Sequence, residues 1–68
     1  MENREYKLTH YTTYDKPSSD FYDSQFFAFT EFISSCQEMQ NLSTYTKVTL
    51  HTFDHLDSKY KLVGKLEK

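Results

Sequence analysis

The sequence predicts an α+β fold, in which one amphipathic helix packs on one face of a three-stranded, mostly antiparallel sheet. Residues 5–14, 45–53 and 59–67 alternate in side-chain character and are rich in Tyr, Thr, Val and Leu, which is typical of strands. Residues 23–41 lack Gly and Pro and repeat apolar side chains at helical spacing. A length of 68 residues suits a single small domain, residues 1–68, with the element order β-α-β-β.

The first strand is predicted to end in a loop. Tyr6 and Leu8 fall on one face of this strand, which we expect to meet the helix. Residues 15–22 contain the only proline of the chain followed by Ser-Ser-Asp, and this composition predicts a loop. Asp20 or Asp23 can then cap the helix by accepting hydrogen bonds from its first N–H groups.

The predicted helix has one apolar face. Seven of its side chains share an arc of about 160° on a helical projection and are expected to form the core: Phe26, Ala28, Phe29, Phe32, Ile33, Cys36 and Met39. Phe27 lies outside this arc, between Thr30, Glu31 and Ser34. A large ring on a polar helix face indicates a contact with a partner protein or with a second copy of the chain.

The last two strands form a predicted hairpin that turns at residues 54–58. Tyr60, Leu62, Gly64 and Leu66 are expected to share the helix side of the final strand. Two strand orders stay open. The third strand lies between the first and second, or the first two are parallel neighbours. We favour the former, because a small sheet with one uncovered face is usually antiparallel.

The composition argues against several classes of protein. Eight Lys and Arg against ten Asp and Glu give a net charge of −2. The single cysteine, Cys36, cannot form an internal disulfide, so a secreted disulfide-rich domain is not expected. No signal-peptide or membrane-spanning pattern is visible. We therefore expect a cytoplasmic, intracellular protein without membrane contact. A short chain that starts with Met is typical of phage and mobile-element genes.

A set of acidic and aromatic residues is the first candidate site. Large rings flanked by carboxylates can anchor a chain in a basic groove of a partner protein. The residues expected to bind the partner are Tyr14, Asp15, Asp20, Tyr22, Asp23, Phe27 and Glu31. The alternative interpretation is structural: Tyr22 and its neighbour Phe21 pack under the loop, and the aspartates cap the helix.

The sheet face turned away from the helix is the second candidate. Its expected members are Lys7, Thr9, Tyr11, Tyr45, Lys47, Thr49, His51, Phe53, Lys59, Lys61, Val63 and Lys65. Lysines interleaved with rings suit single-stranded nucleic acid, through Lys7, Tyr11, Lys47, His51, Phe53, Lys59, Lys61 and Lys65. Lysines on an open sheet face are also a common aid to solubility, so a plain solvated face is the alternative.

Catalytic and metal-binding patterns are weak. His51 and His55 have the spacing of a metal motif, but that motif needs a helix and these residues lie in a strand and a turn. Cys36 lies on the apolar arc of the helix, and one glycine cannot build a phosphate-binding loop. We expect no enzyme activity, no cofactor, no metal and no small-molecule substrate.

The sequence thus predicts a small non-catalytic protein-binding module or inhibitor, encoded by a phage or mobile element, that blocks a host protein such as one that handles nucleic acid. A protein partner is expected, with a homodimer possible. The alternatives are a single-stranded nucleic-acid-binding protein and a structural or regulatory subunit of a larger complex.

Overall fold

The computed structural model of the protein describes residues 4–68. They form four strands and one helix: β1 (Tyr6–Thr12), β2 (Ser18–Tyr22), α1 (Gln25–Asn41), β3 (Tyr45–Asp54) and β4 (Lys59–Glu67). The predicted α+β class with one helix and an antiparallel sheet is confirmed. The predicted number of strands is wrong, since the sheet has four. Strand β1 is shorter than its predicted range and leaves Tyr14 in the connection to β2.

The additional strand, β2, lies inside the segment predicted to be a loop. It pairs antiparallel with β1, with Leu8 opposite Asp20 and Thr9 opposite Ser19. Its sequence, Ser-Ser-Asp-Phe-Tyr, shows no apolar alternation, so periodicity could not identify it as a strand. Pairing with β1, more than intrinsic propensity, makes this segment extended.

The sheet order is β2-β1-β3-β4, and every neighbouring pair is antiparallel. The favoured order is wrong, because β4 does not lie between β1 and β3. The other order correctly made β1 and β3 neighbours but wrongly made them parallel, since they pair antiparallel. The β1–β2 hairpin explains the difference. Strand β2 returns the chain to the end of the sheet where β1 began, so α1 starts there and β3 enters from the opposite end.

The core lies between α1 and the two central strands. Leu8, Val48 and Leu50 of the sheet are fully buried against Ala28 and Met39 of the helix. Burying each larger side chain contributes about 1.5–3 kcal/mol. Tyr6, Tyr22, Phe29, Phe32, Cys36, Tyr45 and Leu66 pack around this cluster.

Gly64 of β4 lets the edge of the helix approach the sheet. A Cβ atom added to Gly64 would lie 3.2 Å from the Phe32 ring, which is tighter than ordinary van der Waals contact. The predicted position of this glycine on the helix side of β4 is therefore correct.

The helix begins and faces the sheet differently from the prediction. Ser24 is the N-cap, and its side chain accepts a hydrogen bond from the Phe27 N–H at 3.4 Å, so neither Asp20 nor Asp23 caps the helix. Phe26 and Ile33, expected in the core, are exposed. The core side of α1 is centred on Ala28 and Met39, and it leaves these two side chains at its margin.

No helix within residues 4–68 is long and apolar enough to cross a membrane.

Two β-bulges change which side chains share a face. Leu50 of β3 pairs with Gly64 of β4, but the next residue of β3, His51, pairs with Leu62. Val63 is therefore the additional residue of a bulge in β4. Beyond this bulge the alternation of β4 is inverted. Tyr60 and Leu62, predicted on the helix side, therefore lie on the open side.

The same bulge moves the two lysines that follow the turn. Lys59 and Lys61, predicted on the open face, are paired with Asp54 and Thr52 on the helix side. A second bulge places Tyr45 opposite Thr12 rather than opposite Thr13. Tyr45 therefore packs against the core instead of lying on the open face.

Candidate functional site

The acidic–aromatic residues form a surface along β2 and the neighbouring side of α1. Tyr14, Asp15 and Asp20 line one cavity, and Tyr22 continues the strand toward the helix. Phe27 and Glu31 stand one helical turn apart on α1. We call these six residues, together with Phe26, the acidic–aromatic surface.

The cavity has a volume of about 280 Å³ and lies on the helix side of the sheet, beside β2. Its lining combines carboxylates, one lysine, a histidine and two tyrosine rings: His10, Thr12, Tyr14, Asp15, Lys16, Ser18, Asp20 and Tyr45. Two carboxylates and one lysine are among these groups, so the cavity favours a cation. Tyrosine faces also attract cations.

Asp20 and Glu31 act on the same side chain. Partial burial raises the pKa of the Tyr22 hydroxyl, and the negative charges of Asp20 and Glu31 raise it further. Neither carboxylate forms an ion pair within residues 4–68. The surface between β2 and α1 therefore carries negative charge that the described part of the chain does not compensate.

Asp23 differs from the other predicted acidic residues. Its Oδ2 lies 2.9 Å from Nη1 of Arg4, in an exposed ion pair. Because this charge is already compensated, Asp23 adds little to the negative potential of the surface. It is therefore placed at the edge of the candidate site.

Two phenylalanines at the start of α1 give the surface its apolar part. The side chains of Phe26 and Phe27 are 73% and 60% exposed. Their ring centroids are 5.7 Å apart with an interplanar angle of 73°, an edge-to-face contact. Phe27 was singled out from the sequence, whereas Phe26 was assigned to the core. With about 100° per residue, Phe26 lies about 160° around the helix from the buried Ala28, at the far end of the predicted arc, and this was the signal missed.

The open sheet face is more aromatic and less basic than predicted. Phe53 and Tyr60 lie edge-to-face with centroids 5.2 Å apart, and Phe21 approaches Tyr60 at 6.2 Å. The Nζ of Lys7 lies 5.2 Å from the centre of the Tyr60 ring. Three of the predicted lysines remain on this face: Lys7, Lys47 and Lys65.

Each remaining lysine has a local partner. Nζ of Lys47 lies 4.3 Å above the Tyr11 ring, and Nζ of Lys65 lies 3.8 Å from Oε1 of Glu67. Lys61 instead binds Asp54 at 2.6 Å and Asp57 at 2.7 Å. The structure thus separates the eight predicted nucleic-acid residues between the two sides of the sheet.

The middle of the open face holds two polar atoms without hydrogen-bond partners among the described residues. They are Oγ1 of Thr49 and Nδ1 of His51, both buried. Burial lowers the pKa of His51 from its ordinary value of 6.5, and the nearby charge of Lys7 lowers it further. His51 is therefore held in its neutral form near neutral pH.

Two residues with nucleophilic side chains, Ser35 and Cys36, lie on the core side of α1. His10 Nε2 and Ser35 Oγ lie 2.8 Å apart, a pairing that the sequence analysis missed. Ser35 is only 7% exposed and lies on the inner face of α1. Burial raises the pKa of the Cys36 thiol, which makes it a poor nucleophile. Within the described residues, no group of three or more His, Cys, Asp or Glu is placed to hold a metal ion.

Comparison of the chain with protein-family models, curated proteins and solved structures gave no match.

Proposed function

We propose that the protein is a small non-catalytic binding module that recognises a basic surface of another protein through its acidic–aromatic surface. The observation that carries this proposal is the exposed Phe26–Phe27 pair beside carboxylates that have no ion-pair partner among residues 4–68. Aromatic side chains supply large contact area at low cost in conformational entropy, and they are enriched at the centres of interfaces.

The charge distribution favours a protein partner that is itself basic. Asp20 and Glu31 lie on the same side as Phe27, so an approaching cationic surface meets both the negative potential and the rings. Complementary charge of this kind raises the association rate and disfavours acidic competitors. A protein that handles nucleic acid presents such a basic surface.

Single-stranded nucleic-acid binding on the open sheet face is the second candidate. The ring cluster around Tyr60, with the Nζ of Lys7 beside it, favours it. The loss of Lys59 and Lys61 to the other side of the sheet weakens it, because phosphate contacts supply most of the affinity for nucleic acid.

The proposal is tested with the variants Phe27→Ala and Asp20→Lys, and with Leu56→Ala as the matched control. Leu56 is a large exposed apolar residue in the β3–β4 turn, outside the acidic–aromatic surface. Each tagged protein is used to capture partners from a cell extract, followed by quantitative mass spectrometry. Analytical ultracentrifugation gives the oligomeric state of the same samples.

We expect one set of proteins to be captured by the unmodified chain and by Leu56→Ala, and reduced at least about tenfold with Phe27→Ala and Asp20→Lys. A dimer that dissociates in Phe27→Ala would identify the partner as a second copy of the chain. Unchanged capture and an unchanged oligomeric state in both variants would refute the proposal.

A further inference from the structure

We propose that β2 binds an extended, arginine-containing segment of the partner, which adds a fifth strand to the sheet and places one basic side chain in the cavity beside Asp15 and Asp20. This inference rests on the proposed function and names the chemistry of the partner. It follows from three features of the molecule: an unpaired strand edge, an adjoining anionic cavity and the lack of lysines and bulges on β2.

The first feature is the position of β2. Among residues 4–68 it is the outermost strand of the order β2-β1-β3-β4, and β1 is the only strand with which it pairs. Its outer edge therefore presents backbone N–H and C=O groups to a further strand. An added strand gains affinity from main-chain hydrogen bonds and specificity from pockets for alternate side chains.

The two edges of the sheet are protected differently. The outer strand β4 carries Lys59, Lys61 and Lys65 and is interrupted by a bulge at Val63. Lysines and bulges are devices that prevent edge-to-edge pairing. Strand β2 has neither a lysine nor a bulge, and its one charged side chain, Asp20, opposes an acidic strand and not a basic one.

The charge beside β2 selects the occupant. Ser18 and Asp20 point to the helix side of the strand and line the cavity, together with Asp15. The hydroxyl Oγ1 of Thr12 is buried in the cavity wall without a hydrogen-bond partner among the described residues. A guanidinium can donate to carboxylates and to this hydroxyl at the same time, since it carries five N–H donors.

The tyrosine rings of the cavity favour arginine in particular. Tyr14 is exposed at the cavity and Tyr45 packs against the core at its inner side. A planar guanidinium can lie against such rings while it binds a carboxylate, which a lysine ammonium does less well. Lys16 also lines the cavity and is the cation that an entering arginine would have to displace outward.

The same charges disfavour a second copy of the chain on this edge. A two-fold antiparallel pairing centred on β2 places Asp20 directly opposite its own equivalent, because Asp20 is the middle residue of the strand. Like charges directly opposite each other destabilise a strand pair. On the open side of β2, half-exposed Phe21 instead offers contact to an apolar side chain. The fitting segment therefore alternates basic and apolar residues.

The test uses a fluorescent seven-residue peptide in which valine and arginine alternate, titrated into the full chain and followed by anisotropy. A second peptide replaces each arginine by citrulline, which keeps the shape and removes the charge. Two further peptides are N-methylated at alternate residues, the first at the odd-numbered positions and the second at the even-numbered positions. Each methylation pattern blocks main-chain hydrogen bonds along one edge of the extended peptide and keeps its charge. The protein variants are Asp20→Asn and, as a matched loss of one carboxylate on the opposite edge strand, Glu67→Gln.

We expect the arginine peptide to bind with a dissociation constant in the micromolar range, and Glu67→Gln to bind it equally well. Binding should weaken at least about tenfold for Asp20→Asn, for the citrulline peptide and for one of the two N-methylated peptides. In ¹⁵N NMR spectra, the largest shifts should lie in β2 and at Thr12.

Absence of binding, or equal binding by the arginine and citrulline peptides, would overturn the inference. Equal binding by both N-methylated peptides would overturn it as well, since the peptide would then not be paired as a strand. Failure of this inference can be distinguished from failure of the proposed function. A partner that depends on Phe27 while the peptides fail would show that the partner contacts the helix without extending the sheet.

Discussion

At the scale of single residues, His51 illustrates how the open sheet face is occupied. It lies between Lys7 on β1 and Leu62 on β4, and its Nδ1 is buried without a partner among residues 4–68. Burial is the main cause that lowers its pKa below 6.5, and the charge of Lys7 adds to it. Protonation of His51 is therefore less favourable in the folded protein than in the unfolded chain.

NMR titration of the imidazole signals should give His51 a pKa below 6.5 in the unmodified protein. Lys7→Met removes the charge and keeps most of the side-chain length, so the pKa should rise without reaching 6.5, because burial remains. Lys47→Met is the control, since Lys47 lies over Tyr11 instead, and it should leave the pKa of His51 unchanged. A His51 pKa at or above 6.5 would contradict this explanation.

The same shift links stability to pH. Below pH 6.5 the unfolded chain takes up a proton at this histidine while the folded protein does not, so the contribution of His51 to stability is present above 6.5 and decreases as the pH falls. Urea denaturation at pH 7.5 and at pH 5.5, values chosen on either side of about 6.5, should show a smaller difference in His51→Gln than in the unmodified protein.

At the scale of elements, the β3–β4 turn contains the one non-glycine residue with a positive φ in the described chain. Ser58 has φ 54°. The turn is otherwise well bonded: Oδ1 of Asp54 accepts hydrogen bonds from the N–H groups of Leu56 at 2.9 Å and Asp57 at 3.3 Å. The hairpin therefore holds Ser58 in a left-handed backbone conformation that glycine adopts more readily.

Ser58→Gly should stabilise the protein by about 0.5–1 kcal/mol, because glycine adopts the left-handed region without the steric cost of a Cβ. Urea denaturation measures the change. Ser43→Gly is the matched control in the connection between α1 and β3, where φ is not positive, and it should be neutral or destabilising. A loss of stability in Ser58→Gly comparable with that in Ser43→Gly would refute the prediction.

The elements that the sequence predicted correctly are those whose side chains repeat with a clear period. The helix, β3 and β4 were found within their approximate ranges, and Leu8 was placed on the core side. Strand β2 was missed because its extended form depends on pairing with β1. The bulges were missed because a change of phase in the pleat leaves no periodic signal of its own.

The parts of the candidate site formed by residues close together in the sequence were predictable, and the parts formed by distant residues were not. Phe27 and Glu31 share a helix face at a spacing of one turn, so their proximity could be derived from the sequence. The meeting of Asp20 with Glu31 near Tyr22, and the cavity beside β2, depend on where the unrecognised strand lies. Sequence patterns alone could not supply that position.

At the scale of the whole molecule, charge is divided between the two sides of the sheet. The side of α1 and β2 carries carboxylates without ion-pair partners among the described residues, and the open side carries three lysines with local partners. The chain as a whole has a net charge of −2. This distribution favours a basic partner over a nucleic acid.

Fluorescence anisotropy with labelled single-stranded DNA and RNA tests that preference. We expect no saturable binding at about 200 mM salt, and any binding at about 50 mM should have a salt slope no steeper than about −2, since three lysines can release few counterions. Lys47→Met is the variant to compare. Micromolar binding at 200 mM salt that this variant abolishes would make the open face the functional surface.

The bulge at Val63 has a consequence for how this surface could change during evolution. It shifts the phase of β4 by one residue, which keeps Tyr60 and Leu62 on the open side and Lys59 and Lys61 on the side of the helix. Loss of a single codon, that for Val63, would place Leu62 directly before Gly64, which restores regular alternation while Leu62 stays opposite His51 and both pairs keep their sides. We expect a folded deletion variant to bind single-stranded DNA no more tightly than the unmodified chain in the same anisotropy assay, and tighter binding would show that the two lysines had moved to the open side. The open face would thus stay aromatic after the bulge is lost.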